Sequence, residues 1–217
     1  MQQLTYIVSG TADAQRKAEQ AKEKLDRIPH VESLLITIAA PCEMAAEKAG
    51  SMVNAVRELF PHARILAHTC ALKMADLCLD TEGAMLTFTA FESSRVEFVT
   101  VKGNTPISEA KESIARFIGT RPHTKAVEIL VVGLMDQLGA LLEEGTAMDE
   151  RIAVFGAFVD SPPMGVHGYL IADDAELRFG MAAIVFHGET LDAHAVRNFG
   201  WNELGREIVA TRVDGCT

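Results

Sequence analysis

The stretch Arg151–Gly205 reads RIAVFGAFVDSPPMGVHGYLIADDAELRFGMAAIVFHGETLDAHAVRNFGWNELG, and its pattern sets the class of the whole chain. Ile152, Val154 and Phe158 surround Gly156, a mid-strand glycine of the kind that lets another backbone or a ligand come close. Tyr169-Leu170-Ile171 and Glu176-Leu177-Arg178-Phe179 flank Asp173-Asp174, which predicts two strands joined by a polar turn. Met181–Phe186 supplies a further apolar strand after Gly180. The stretch closes on Phe199-Gly200-Trp201-Asn202-Glu203-Leu204-Gly205, which holds the single tryptophan. Ser161-Pro162-Pro163-Met164-Gly165 is the strongest loop signal, and it lies among the strands rather than between domains.

Working outward, the amino-terminal part has a different rhythm. Leu4–Val8 is a short apolar run stopped by Ser9-Gly10. Ala14, Ala18, Ala21, Leu25 and Ile28 then recur at helical spacing, and Pro29 ends that helix. Leu34–Ala39 reads as a strand, and Ala45, Ala49, Met52, Val53, Val56, Leu59 and Phe60 mark a second helix ended by Pro61. With Ala63–Ala67 as a third strand, this β-α-β-α-β opening predicts a parallel sheet core. Ala84–Thr89 and Arg95–Val99 alternate with period two around Glu92-Ser93-Ser94, which predicts an antiparallel hairpin with one wet face. Thr105-Pro106 starts a helix carrying Ile107, Ala110, Ile114 and Phe117, and Val127–Val132 reads as a buried apolar strand. Asp136–Glu144 is expected to be a short helix, and Glu207–Val213 a last strand. The class is mixed α/β, with mixed sheets layered with helices, in one domain over 1–217.

Composition excludes several functions. The chain has 217 residues, 48% hydrophobic and 23% charged, with a net charge of −10. That charge repels phosphate backbones and no basic cluster offsets it, so a nucleic-acid partner is not expected. No segment reaches the ~20 consecutive apolar residues of a membrane span, and no basic start marks a signal peptide. The four cysteines form no disulfide framework and no C-x-x-C, so a reduced, cytoplasmic setting is the expectation.

The order Phe155-Gly156-Ala157, the 169–186 strands, Gly200-Trp201 with Gly205, and Ala210-Thr211-Arg212-Val213-Asp214-Gly215 resembles the amino-terminal domain of the FIST family of signal-transduction sensors. The resemblance implies a sensory domain that binds a small, amino-acid-like metabolite and signals to an output protein. Such partners include a histidine kinase, a chemotaxis receptor or a diguanylate cyclase, in bacterial two-component or cyclic-dinucleotide signalling. In that family a carboxy-terminal region follows, so a chain stopping at Thr217 is expected to be half of the usual module.

The candidate ligand residues come from three places. His68, Thr69 and Cys70 follow the third strand, where open α/β sheets bind ligands and where the family carries a small polar loop. Here Ala67 and Leu72 stand in place of that loop's glycines. Phe155 and Gly156 come from the strand, and Gly200 and Trp201 from the closing element. Cys70 beside His68 also suggests a thiol nucleophile, but no orienting Asp or Asn is spaced for it, so an inert cysteine is the simpler reading and no enzyme activity is expected. The seven histidines lack the short paired spacings of structural zinc sites. Haem is the alternative cofactor that the resemblance implies, for a nitric-oxide sensor, with His167, His187 and His194 as axial candidates. A degenerate interaction domain without ligand is a further alternative.

Overall fold

The computed structural model describes residues 1–70, 73–75, 78–80, 82–133, 151–159 and 168–194. In chain order the elements are β1 (Gln2–Val8), α1 (Thr11–Leu25), β2 (Ser33–Ala40), α2 (Ala46–Leu59), β3 (Arg64–Thr69), β4 (Lys73–Ala75), β5 (Cys78–Asp80), β6 (Ala84–Phe91), β7 (Arg95–Lys102) and α3 (Ile107–Gly119). They continue with β8 (Thr124–Val132), β9 (Ala153–Phe158), β10 (Leu170–Ala172), β11 (Ala175–Leu177) and β12 (Gly180–His187). The helix expected over 136–144 and the strand expected over 207–213 lie outside the described residues.

The strands form a sheet ordered β1-β6-β2-β3-β10-β11, a second ordered β7-β12-β8-β9, and a β4-β5 ribbon. Three apolar cores separate four layers. One fills the space between α1, α2 and the first sheet, and includes Ala14, Ala18, Met52, Ile36, Ile65 and Phe88. A second lies between the sheets, around Leu35, Leu66, Phe91, Leu130, Leu170 and Ile184. The third, around Ala110, Ile114, Val127, Ile129 and Ala183, joins the second sheet to α3. The mixed α/β class follows, as an α/β/β/α sandwich. The alanine stripe of α1 is fully buried, and its small side chains let that helix lie closely along α2.

Two pairings differ from the sequence pattern. Only β2 and β3 pair in parallel at the opening of the chain; β6 lies antiparallel between β1 and β2, which therefore still point the same way. The hairpin expected from 84–89 and 95–99 does not form. β6 belongs to the first sheet, whereas β7 pairs with β12 in the second. A hairpin with one wet face needs solvent on alternate residues, but β6 is buried along nearly its whole length and β7 contributes to two cores. Glu92–Ser94 is therefore a corner between layers, held by Ser33 Oγ donating to the Ser94 carbonyl at 2.8 Å. The hairpin expected around Asp173-Asp174 does form, as β10–β11. A second corner follows it, since β12 belongs to the other sheet.

These corners fix how the sheets cross. β7 begins beside β2, where Arg95 pairs with Glu32, and passes β3, where Arg64 stacks over Phe98 at 5.7 Å. It ends beyond β11, where the Gly103 N–H donates to the Phe179 carbonyl at 2.9 Å. β7 thus runs across the first sheet near the start of β2 and β3, the near-orthogonal arrangement expected when strands switch sheets at corners. The order β7-β12-β8-β9 then carries β8 and β9 toward the carboxyl ends of β2 and β3.

Candidate ligand site between the sheets

Strand alternation assigns each side chain to a layer. On β3, Ile65 and Ala67 belong to the helix-side core and Leu66 to the inter-sheet core, so His68 faces the second sheet and Thr69 faces the helices. On β2 and β6 the same alternation turns Thr37 and Thr87 toward the second sheet. Thr5, Thr87 and Thr37 lie in register across β1, β6 and β2, with the Thr5 and Thr87 hydroxyls 3.3 Å apart. The inner face of the first sheet therefore carries a threonine row level with Leu66, and the next row toward the carboxyl ends of β2 and β3 holds Met85, Ala39, His68 and Leu170.

The opposing wall comes from β8 and β9. Val127, Ile129 and Val131 lie under α3 while Leu130 and Val132 lie between the sheets, so Glu128 points between the sheets. β9 runs parallel to β8, with Phe155 beside Glu128 and Gly156 beside Ile129. Phe155 thus shares the inner face, and like Val154 and Phe158 on the other face of this edge strand it is partly exposed, at 45%. Gly156 faces the other way. A Cβ there would stand 1.9 Å from the Ile129 carbonyl oxygen, so the close approach expected at this glycine is that of the β8 backbone.

Two ionisable groups point between the sheets without an ion-pair partner among the described residues. His68 is half-buried and closely surrounded, and its desolvation holds the imidazole below its ordinary value. Its Nδ1 lies 3.0 Å from the Thr69 carbonyl, which accepts the Nδ1 proton and leaves Nε2 as the acceptor of a neutral ring. Glu128 is half-buried, and desolvation alone pushes its carboxyl above the ordinary value. Sequence reading missed Glu128, Thr37 and Thr87. The signal for Glu128 was present: it is the single charged residue within Ala126–Val132, a strand otherwise apolar on both faces.

The remaining candidates lie elsewhere. Thr69 is buried on the helix side, where its N–H donates to the Tyr169 carbonyl at 3.2 Å. The Cys70 N–H donates to the Ala40 carbonyl at 2.7 Å, which ties the end of β3 to β2. His187 Nε2 sits 3.0 Å from Glu97 Oε2, and His194 Nε2 sits 3.1 Å from Asp192 Oδ2 with both side chains largely exposed. An axial haem ligand needs an apolar pocket, and neither setting is one. His167, Gly200 and Trp201 lie outside the described residues. No three His, Cys, Asp or Glu side chains among the described residues come together to hold a metal ion. A pocket of about 210 Å³ opens beside Phe91, Ser94 and Leu191, but its Ser93 and Thr190 hydroxyls bond each other at 2.7 Å and Glu92 takes the terminal amine.

Four layers with two sheets that cross between them define a mixed α/β sandwich. The family model described as FIST N domain matches residues 34–217, and the chain belongs to that family of signal-transduction sensor domains. A search of curated proteins finds no match. No helix among the described residues is long and apolar enough to cross a membrane.

Proposed function

We propose that this domain senses a small molecule in the crevice between its sheets, acting as a binding module rather than an enzyme. One observation carries the reading: Glu128 and His68 both point between the sheets, desolvated and without ion-pair partners among the described residues. Desolvated polar groups are costly unless something bonds them, and convergent groups of this kind in a concave space mark binding sites. An amino-acid-like metabolite fits the combination of a threonine row, a carboxylate and an aromatic ring. The output is a change in how the sheets pack, read by a signalling partner such as a histidine kinase, a chemotaxis receptor or a diguanylate cyclase in a cytoplasmic setting. Such a signal requires the ligand to bind one packing arrangement better than another.

The test is a thermal-shift screen against an amino-acid panel, repeated with Thr37→Phe, which fills the crevice floor. A compound that stabilises the wild type by several degrees and leaves the variant unmoved supports the reading. Equal stabilisation of both proteins, or no response to any compound, counts against it.

A further inference from the structure

We propose that Glu128 and Phe155 form a cation subsite that holds the protonated amine of the ligand, the carboxylate as its counter-charge and the ring face as its platform. The inference rests on the crevice reading above and adds the charge of the ligand to it. Two observations point to a cation. Glu128 stands on a central strand with its side chain between the sheets, and no described donor bonds it. Its register neighbour on β9 is Phe155, on the same face and 45% exposed, so carboxylate and ring stand side by side and the ring is reachable from outside the described fold. An ammonium over an aromatic face gains about 0.5–2 kcal/mol, more as water is excluded.

Among the described residues, the charge on this side of β9 nearest in sequence is Arg151, four residues before Phe155 and itself engaged in another interaction. The inner-facing neighbours on β12 and β9 are Ala182, Ile184, Ala153 and Ala157, all uncharged. Across the crevice β3 presents His68 and, near its start, Arg64, whose Nη1 already lies 2.6 Å from Asp173 Oδ2. Desolvation favours the protonated form of Glu128, so an arriving ammonium displaces that proton. Affinity for the cation therefore rises as pH climbs above the ordinary glutamate value of 4.5.

The experiment titrates n-butylammonium, n-butanol and butyrate into the full chain and follows the NMR signals of Phe155 and of the Glu128 side chain. The expected result is saturable movement of both signals with n-butylammonium, at least tenfold weaker in Glu128→Gln, and little movement with butyrate. Equal binding of n-butanol and n-butylammonium, or an unchanged affinity in Glu128→Gln, overturns the cation subsite but leaves the crevice standing. If none of the three probes moves Phe155, the crevice reading falls and the subsite with it. Glu128→Gln keeps size and shape, so a folded variant is available for the comparison.

Discussion

Glu128 is an acid placed where acids are costly, and the sign of that cost is measurable. A carboxyl raised in the folded protein binds more protons there than in the unfolded chain, so stability falls as pH rises through the window above 4.5. Replacing Glu128 by Gln removes the charge and keeps the shape. The expected gain is about 1 kcal/mol at pH 7, the scale of one buried polar group left without a partner. Denaturant melts at both pH values check it, because the gain should vanish below pH 4.5, where both side chains are neutral. A constant gain at every pH would mean that packing, and not charge, sets the cost. Sites that trade stability for binding show this sign, whereas purely structural acids show the reverse.

At the scale of elements, β9 depends on one residue. Gly156 lets the β8 and β9 backbones meet, and a Cβ there would overlap the Ile129 carbonyl. Gly156→Ala should cost about 1–3 kcal/mol, as over-packing does, and should release β9 from β8. Amide exchange is the direct readout: faster exchange confined to 153–159 supports this, and uniform protection across the second sheet contradicts it. Because Phe155 travels with β9, the same variant should lose affinity for any crevice ligand.

The helices and most strands were legible because their apolar residues recur with the right period; the alanine stripe of α1 is the plainest case. Partner choice was not legible. Period two in 84–89 and 95–99 says that both are strands, yet it cannot say whether neighbours in sequence share a sheet. The buried Ser94 and the two-faced burial of β7 decide that, and both depend on the opposite sheet. The candidate site was half legible for the same reason. Position after a parallel strand pointed to His68, and a glycine pattern pointed to Phe155 and Gly156. Which of these share a face is a matter of register, which sequence period alone does not supply.

Across the whole molecule, the sheets are linked by charge as well as by apolar packing. Glu97 on β7 receives both Nε and Nη2 of Arg121, lies 3.0 Å from His187, and reaches Arg64 of the first sheet at 4.0 Å. Arg64 in turn holds Asp173, which also accepts from the Ile65 N–H at 3.0 Å. The hydrogen bonds from Arg121 hold the Glu97 carboxyl below its ordinary value, with desolvation working against them. A depressed acid contributes stability above its unfolded value and loses it as pH falls through its folded one. The wild type should therefore lose stability on acidification below pH 4.5 more steeply than Glu97→Gln, with the two curves converging at low pH. Parallel curves from pH 7 to pH 3 would remove Glu97 from the list of groups that tie the sheets.

The double passage of the chain between layers also governs how it comes into being. β12, which ends at His187, is the strand that joins β7 to β8, and β10 with β11 completes the far edge of the first sheet. During synthesis β7 emerges some eighty residues before its partner, and β3 waits about a hundred residues for β10. A growing chain thus exposes two unfinished sheet edges at once, and the apolar face between them, until residues 170–187 have left the ribosome. Four strands of the first sheet, β1, β6, β2 and β3, can pair before β7 emerges, but neither sheet is complete until β10 to β12 are made. Folding should be slow for the size of the domain, as pairings so distant in sequence generally are, and the nascent chain is a natural client for chaperones.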